Sequence, residues 1–100
     1  MTYSLAFTLA AVDDIIDSIQ WYNNEKKGLG FEFFLAVDEK LKLLINNPLH
    51  FPVRFSTIRT SKVNKYLYLI YFRINEKRLS ITILGVLHTN PNPNLIKRRK

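Results

Sequence analysis

The period of the hydrophobic pattern changes along the chain, and each change marks an element. Tyr3-Ser4-Leu5-Ala6-Phe7 alternates large and small side chains, as a short first strand does. Thr8 suits a helix N-cap, because its hydroxyl can satisfy an amide left open in the first turn. From Ala11 the spacing turns helical, with Val12, Ile15, Ile16, Ile19 and Tyr22 recurring on one side. Asp13, Asp14 and Asp17 lie towards the N-terminal end of this helix and Lys26 and Lys27 at the other, matching its dipole. That arrangement reads as a solvated face rather than a metal site, since no nearby residue completes a ligand set. Gly28 is a left-handed C-cap candidate, and Gly28-Leu29-Gly30 makes a tight joint to a second helix over Phe31–Asn46. Its apolar positions are Phe34, Leu35, Val37, Leu41, Leu44 and Ile45, and Asn47-Pro48 ends it.

The second half follows the period of two. Val53–Arg59 alternates as a strand, and Ser61-Lys62 turns the chain into a long hairpin over Val63–His88. Val63–Ile74 forms one arm, Asn75-Glu76-Lys77 the turn, and Arg78–His88 the return. Tyr66, Tyr68, Ile70, Phe72 and Ile74 share one face, which needs a cover; Lys65, Leu67, Leu69, Tyr71 and Arg73 make the other, mixed face. The predicted order is β-α-α-β-β-β. It describes an α+β fold in which an N-terminal helical hairpin packs on one face of an antiparallel sheet. The whole of 1–100 reads as one domain, with 91–100 as a flexible basic tail of Pro-Asn repeats and a final Lys97-Arg98-Arg99-Lys100.

Charge changes this picture because it is divided unevenly. Residues 1–50 hold four lysines, no arginine and seven acids, a charge of −3; residues 51–100 hold five lysines, six arginines and one acid, or +10. Positive potential therefore belongs to the sheet half. Such a surface meets phosphates or an acidic partner, or is simply solvated. The absence of cysteine excludes disulfides and thiolate metal centres. No apolar run reaches the length of a membrane span and no basic signal region opens the chain, so the expected location is the cytoplasm, with no cofactor or metal.

Taken in order, these residues resemble the ParE/RelE superfamily, the toxins of bacterial type II toxin–antitoxin (plasmid stabilisation) modules. The likeness rests on Ala11-Val12-Asp13-Asp14-Ile15, the pair Trp21-Tyr22, Gly28-Leu29-Gly30, Phe33-Phe34-Leu35, Leu44, Asn47-Pro48, Phe51-Pro52 and Arg59. It continues through Tyr66–Tyr71 and Val86-Leu87-His88 to Pro93. The chain departs from the pattern where Tyr66-Leu67 replaces Phe-Pro, where Pro91 stands in place of an arginine, and where Ile96 occupies the position of a late tryptophan.

The resemblance is stronger to the ParE-like branch, whose members are taken to inhibit DNA gyrase by binding it. It implies a cognate antitoxin with a small, acidic C-terminal segment, and it leaves open a homodimer or a toxin–antitoxin hetero-oligomer. The residues expected to bind partner or target are Arg54, Arg59, Lys65, Arg73, Arg98 and Arg99. The alternative it implies is a RelE-like endoribonuclease cleaving mRNA on the ribosome, with His88, Arg59 and Tyr71 as catalytic groups. Such a reaction needs a proton acceptor for the 2′-hydroxyl, a proton donor for the leaving oxygen and fixed cations. An inactive member that only binds partners is the third alternative.

Overall fold

The computed structural model describes residues 2–89; the basic tail 91–100, with Pro91, Pro93, Arg98 and Arg99, lies outside them. The elements are β1 (Ser4–Phe7), α1 (Leu9–Glu25), α2 (Leu29–Asn46), a short 3₁₀ turn (Pro48–His50), β2 (Val53–Phe55), β3 (Ile58–Lys62), β4 (Tyr68–Asn75) and β5 (Ser80–His88). The strands form one five-stranded sheet in the order β1-β5-β4-β3-β2. The α+β architecture of a helical hairpin on a sheet is as the pattern predicts. Three of the four ladders are antiparallel, and β1 adds a parallel edge along β5, pairing Ser4 with Ser80 through Phe7 with Ile83.

Two boundaries differ from the sequence reading. The segment expected as one strand over Val53–Arg59 is bent at Ser56-Thr57, where Ser56 adopts a φ of 53°, so it yields β2 and the start of β3. Ser61 and Lys62, expected as a turn, continue β3 and pair with Ile70 and Leu69. The reversal falls later: Val63 N–H donates to Tyr68 O at 3.0 Å, with Lys65 at a φ of 69° inside the loop. The first arm of the hairpin therefore starts at Tyr68. Local alternation does not place this turn, because Val63, Tyr66 and Leu67 are strand-like residues and only Asn64-Lys65 interrupts them.

Thr8 caps α1 as expected, its hydroxyl accepting from Ala11 N–H at 3.1 Å. Gly28, at a φ of 88°, does belong to the left-handed region but stands at the N-terminus of α2, while Lys26 closes α1. The two helices touch at Gly30, whose N–H donates to Asn23 Oδ1 at 2.8 Å. A Cβ there would collide with Ile19 O and the Asn23 side chain, so only glycine lets the helices approach this closely.

The helices and sheet enclose the main core: Ala11 from α1, Phe33, Val37 and Leu44 from α2, Ile70 and Phe72 from β4, and Ile81, Ile83 and Val86 from β5. Fully burying side chains of this size is worth about 1.5–3 kcal/mol each. The buried stripe of α1 is Ala11, Ile15, Ser18, Ile19 and Tyr22, and Val12 and Ile16 stand exposed on its flank. On α2, Phe31, Phe34 and Leu35 are likewise exposed.

One irregularity decides which side chains share a face. Tyr71 pairs with Gly85 and Phe72 with Ile83, leaving Leu84 as an extra residue in β5. At such a bulge two consecutive residues face the same way and the alternation changes phase. Ile81 and Ile83 before it, and Val86 and His88 after it, consequently share the helix-covered side, although their numbers differ in parity. Leu84 instead joins Ile58, Leu69 and Tyr71 in a second, smaller cluster on the outer face, flanked by Phe55 and Leu87.

Candidate functional site

Two surfaces carry the polar and aromatic residues singled out above, and the sheet separates them. On the outer face, Tyr71 is almost fully buried among Ile58, Leu69 and Leu84. Burial pushes its phenol above the usual tyrosine value, and the nearby Arg54 guanidinium works in the opposite direction. Arg73, two residues along β4, lies on the same face by strand alternation and pairs across to Ile58 and Thr82. Lys62, opposite Leu69 on β3, is on this face too. Among the described residues this side is an apolar floor with Arg54, Lys62 and Arg73 around it.

The covered face is different. Arg59 pairs with Phe72 and therefore points to the helix side, where its Nη1 donates to Phe51 O at 2.6 Å and to Leu49 O at 3.4 Å. Its guanidinium ties the segment after α2 to β3. His88 closes β5 opposite Tyr68, the two rings 5.7 Å apart and 74° inclined. Tyr68 belongs to an aromatic cluster in which Tyr22 lies 5.0 Å from Phe33, 5.3 Å from Tyr66 and 6.0 Å from Tyr68. Desolvation raises the phenols of Tyr22 and Tyr66 in this cluster, with Glu32 adding to the effect at Tyr66.

At the open end of the cluster, between the last turns of α1 and the β3–β4 loop, is a groove of about 570 Å³ lined by Trp21, Tyr22, Lys65, Tyr66, Leu67, Tyr68 and His88. Trp21 is 56% exposed and Leu67 61% exposed. From sequence Trp21 is only a motif match, and Leu67 with Lys65 is expected on the mixed face beside Leu69, Tyr71 and Arg73. Leu67 and Lys65 instead lie in the loop before β4 and line the groove. A signal was present for Trp21, which sits one residue off the stripe that ends at Tyr22 and therefore on the rim of the helix. Leu67 had none, because its exposure depends on where the turn falls.

His88 and Arg59 thus share the covered side, at different strand ends, and Tyr71 is on the opposite side of the sheet. Lys65 joins His88 in the groove, Arg54 and Arg73 join Tyr71 outside, and Arg98 and Arg99 lie beyond the described residues. The aspartate cluster also separates. Asp14 Oδ2 accepts Val86 N–H at 3.0 Å beside the bulge, so one of the three residues expected on a solvated face is half-buried and structural. Among the described residues no group of three His, Cys, Asp or Glu could hold a metal ion, and no helix is long and apolar enough to cross a membrane.

The same arrangement of strands and helices occurs in solved toxin–antitoxin structures. A chain of the chromosomal ParDE system from P. aeruginosa superimposes with a TM-score of 0.75 at 20% identity, covering 87% of this chain and 96% of that one. The fold is that of the ParE/RelE toxins. A chain of the RelBE2 toxin–antitoxin complex from Mycobacterium tuberculosis gives a TM-score of 0.66 at 22% identity over 88% of this chain and 99% of that one. A mutant of the E. coli toxin RelE in the free state gives 0.71 at 13% identity over 99% and 94%. No family model matches the sequence, and no curated protein matches it. In this chain the bulge of β5 lies against β4, the central strand, and it puts His88 and Tyr71 on opposite faces.

Proposed function

We propose that this chain is the toxin of a type II toxin–antitoxin module, ParE-like in action. It inhibits a target protein such as DNA gyrase by binding it in the cytoplasm, and a co-encoded antitoxin neutralises it. The observation that carries this reading is the separation of the groups a ribonuclease would use. General acid and base must lie within hydrogen-bond reach of one reacting phosphate, so geometry is tested before proton affinity. His88 and Tyr71 face opposite sides of the sheet, and Arg59 is engaged by two backbone carbonyls. A binding protein needs only shape, charge and exposed apolar anchors. Leu9, Val12 and Ile16 on α1 and Phe31, Phe34 and Leu35 on α2 provide the last of these.

The test is expression of the chain alone and together with the adjacent reading frame. Growth arrest relieved by the neighbour, inhibition of gyrase supercoiling and intact mRNA are the expected results, and His88→Ala remains toxic. Unimpaired growth with abundant soluble protein would remove both toxin readings and leave an inactive binding domain. The ribonuclease reading keeps one observation in its favour, since Arg54, Tyr71 and Arg73 share the outer face. Cleaved mRNA lost in Arg73→Ala would establish it over the gyrase reading.

A further inference from the structure

The groove beside Trp21 has a composition that neither the core nor the outer sheet face explains. Its walls are rings and Leu67, and Lys65 and His88 are the only ionisable lining groups among the described residues besides the tyrosine hydroxyls. Lys65 stands on the ridge between this groove and a second one of about 370 Å³, which carries Glu32 and Glu39. An anionic segment is therefore admitted on the aromatic side and repelled on the other. Trp21 meets Tyr22 edge-on, with centroids 5.0 Å apart and planes at 84°, so a large part of its indole surface remains open to solvent.

From these features we infer that the groove is an anchor site for an acidic peptide segment. An apolar side chain sits between Trp21 and Leu67, and a neighbouring carboxylate reaches Lys65. A nucleotide fits less well, because a phosphate needs several convergent donors and Lys65 is the one permanently charged group here. Covering a half-open indole and an exposed leucine removes apolar surface from water at the centre of a contact, where few residues dominate affinity. The cation at the rim speeds encounter with an acidic chain and disfavours wrong registers. This inference rests on the proposed toxin function, because it assigns the groove to the acidic segment of the antitoxin.

Trp21 is the only tryptophan in the chain, so its emission reports on the groove directly. The probe is a synthetic peptide spanning the acidic C-terminal segment of the protein encoded in the adjacent reading frame, titrated against the full chain, with adenosine monophosphate as the comparison. The expected result is a blue shift on adding peptide and none with the nucleotide. Leu67→Asp and Lys65→Glu should each weaken the peptide complex about tenfold or more. Both positions are exposed, and an unchanged unfolding midpoint shows that each variant is folded. Peptide binding that leaves Trp21 emission and both variants unaffected would overturn the groove assignment while the toxin function stands. An equal response to the nucleotide would overturn the choice of peptide. Failure of the full-length neighbour to bind or to restore growth would instead remove the toxin–antitoxin reading itself, and this inference with it.

Discussion

The carboxylate of Asp14, in the second turn of α1, accepts the backbone N–H of Val86 at 3.0 Å, next to the bulge in β5. The ladder of β1 along β5 ends at Ile83, and beyond that point a side chain from α1 supplies the acceptor for Val86 N–H. The bond joins residues 72 positions apart and holds α1 over the strand on which His88 is presented.

Asp14→Ala should therefore destabilise the fold by about 1–3 kcal/mol, the range for stranding a buried backbone donor. Asp14→Asn, whose amide oxygen can still accept, should lose less. Denaturant midpoints at constant slope measure the difference, and equal loss in Asp13→Ala would show that only helix-end charge was removed.

Gly30→Ala places a methyl group against Ile19 O and Asn23. Overpacking of this kind typically costs about 1–3 kcal/mol. At Gly28 space is open but φ is positive, so Gly28→Ala costs backbone strain of about 1–2 kcal/mol instead. The two can be told apart with Asn at each position. Asn tolerates the left-handed region and should be mild at Gly28, yet more harmful than Ala at Gly30, as equilibrium unfolding will register.

Alkaline solution should weaken the fold in a specific window. Tyr22, Tyr66 and Tyr71 all titrate above the ordinary tyrosine value of 10.0, with burial as the first cause. The unfolded chain then releases those protons first, so the stability they contribute is complete below that value and is lost as pH rises beyond it. Tyr71→Phe should flatten the decline above pH 10.0 and leave the neutral region little changed, measured as unfolding free energy against pH. An identical slope in the variant would place the titrating group elsewhere.

Arg59→Ala should release the segment around Phe51 and cost about 1.5 kcal/mol, the lower end for hydrogen bonds to a charged group. Arg59→Lys should recover part of this. If the role is structural, growth arrest in a toxicity assay will follow stability across the two variants. Loss of arrest in a fully stable Arg59→Lys protein would make Arg59 a contact to the target.

Much of this molecule could be read from order along the chain. Thr8 as a cap, the change from period two to helical spacing at Ala11, the glycine joint and the stop at Asn47-Pro48 are local effects, set by backbone conformations and by nearest neighbours on one helix. The inward set Tyr68, Ile70, Phe72 and Ile74 likewise follows from pleating, and the resemblance assembled from these pieces identified the fold. What alternation could not show is where two strands slip past one another. The extra residue at Leu84 exists only as a relation between β4 and β5, and it moves His88 to the face away from Tyr71. The exposure of Trp21 and Leu67, the engagement of Asp14 with Val86 and the capture of Arg59 by Phe51 O are of the same kind. Each depends on a partner distant in sequence, so composition named the chemical groups while the packing of α1 and the loop at Lys65 decided which of them meet.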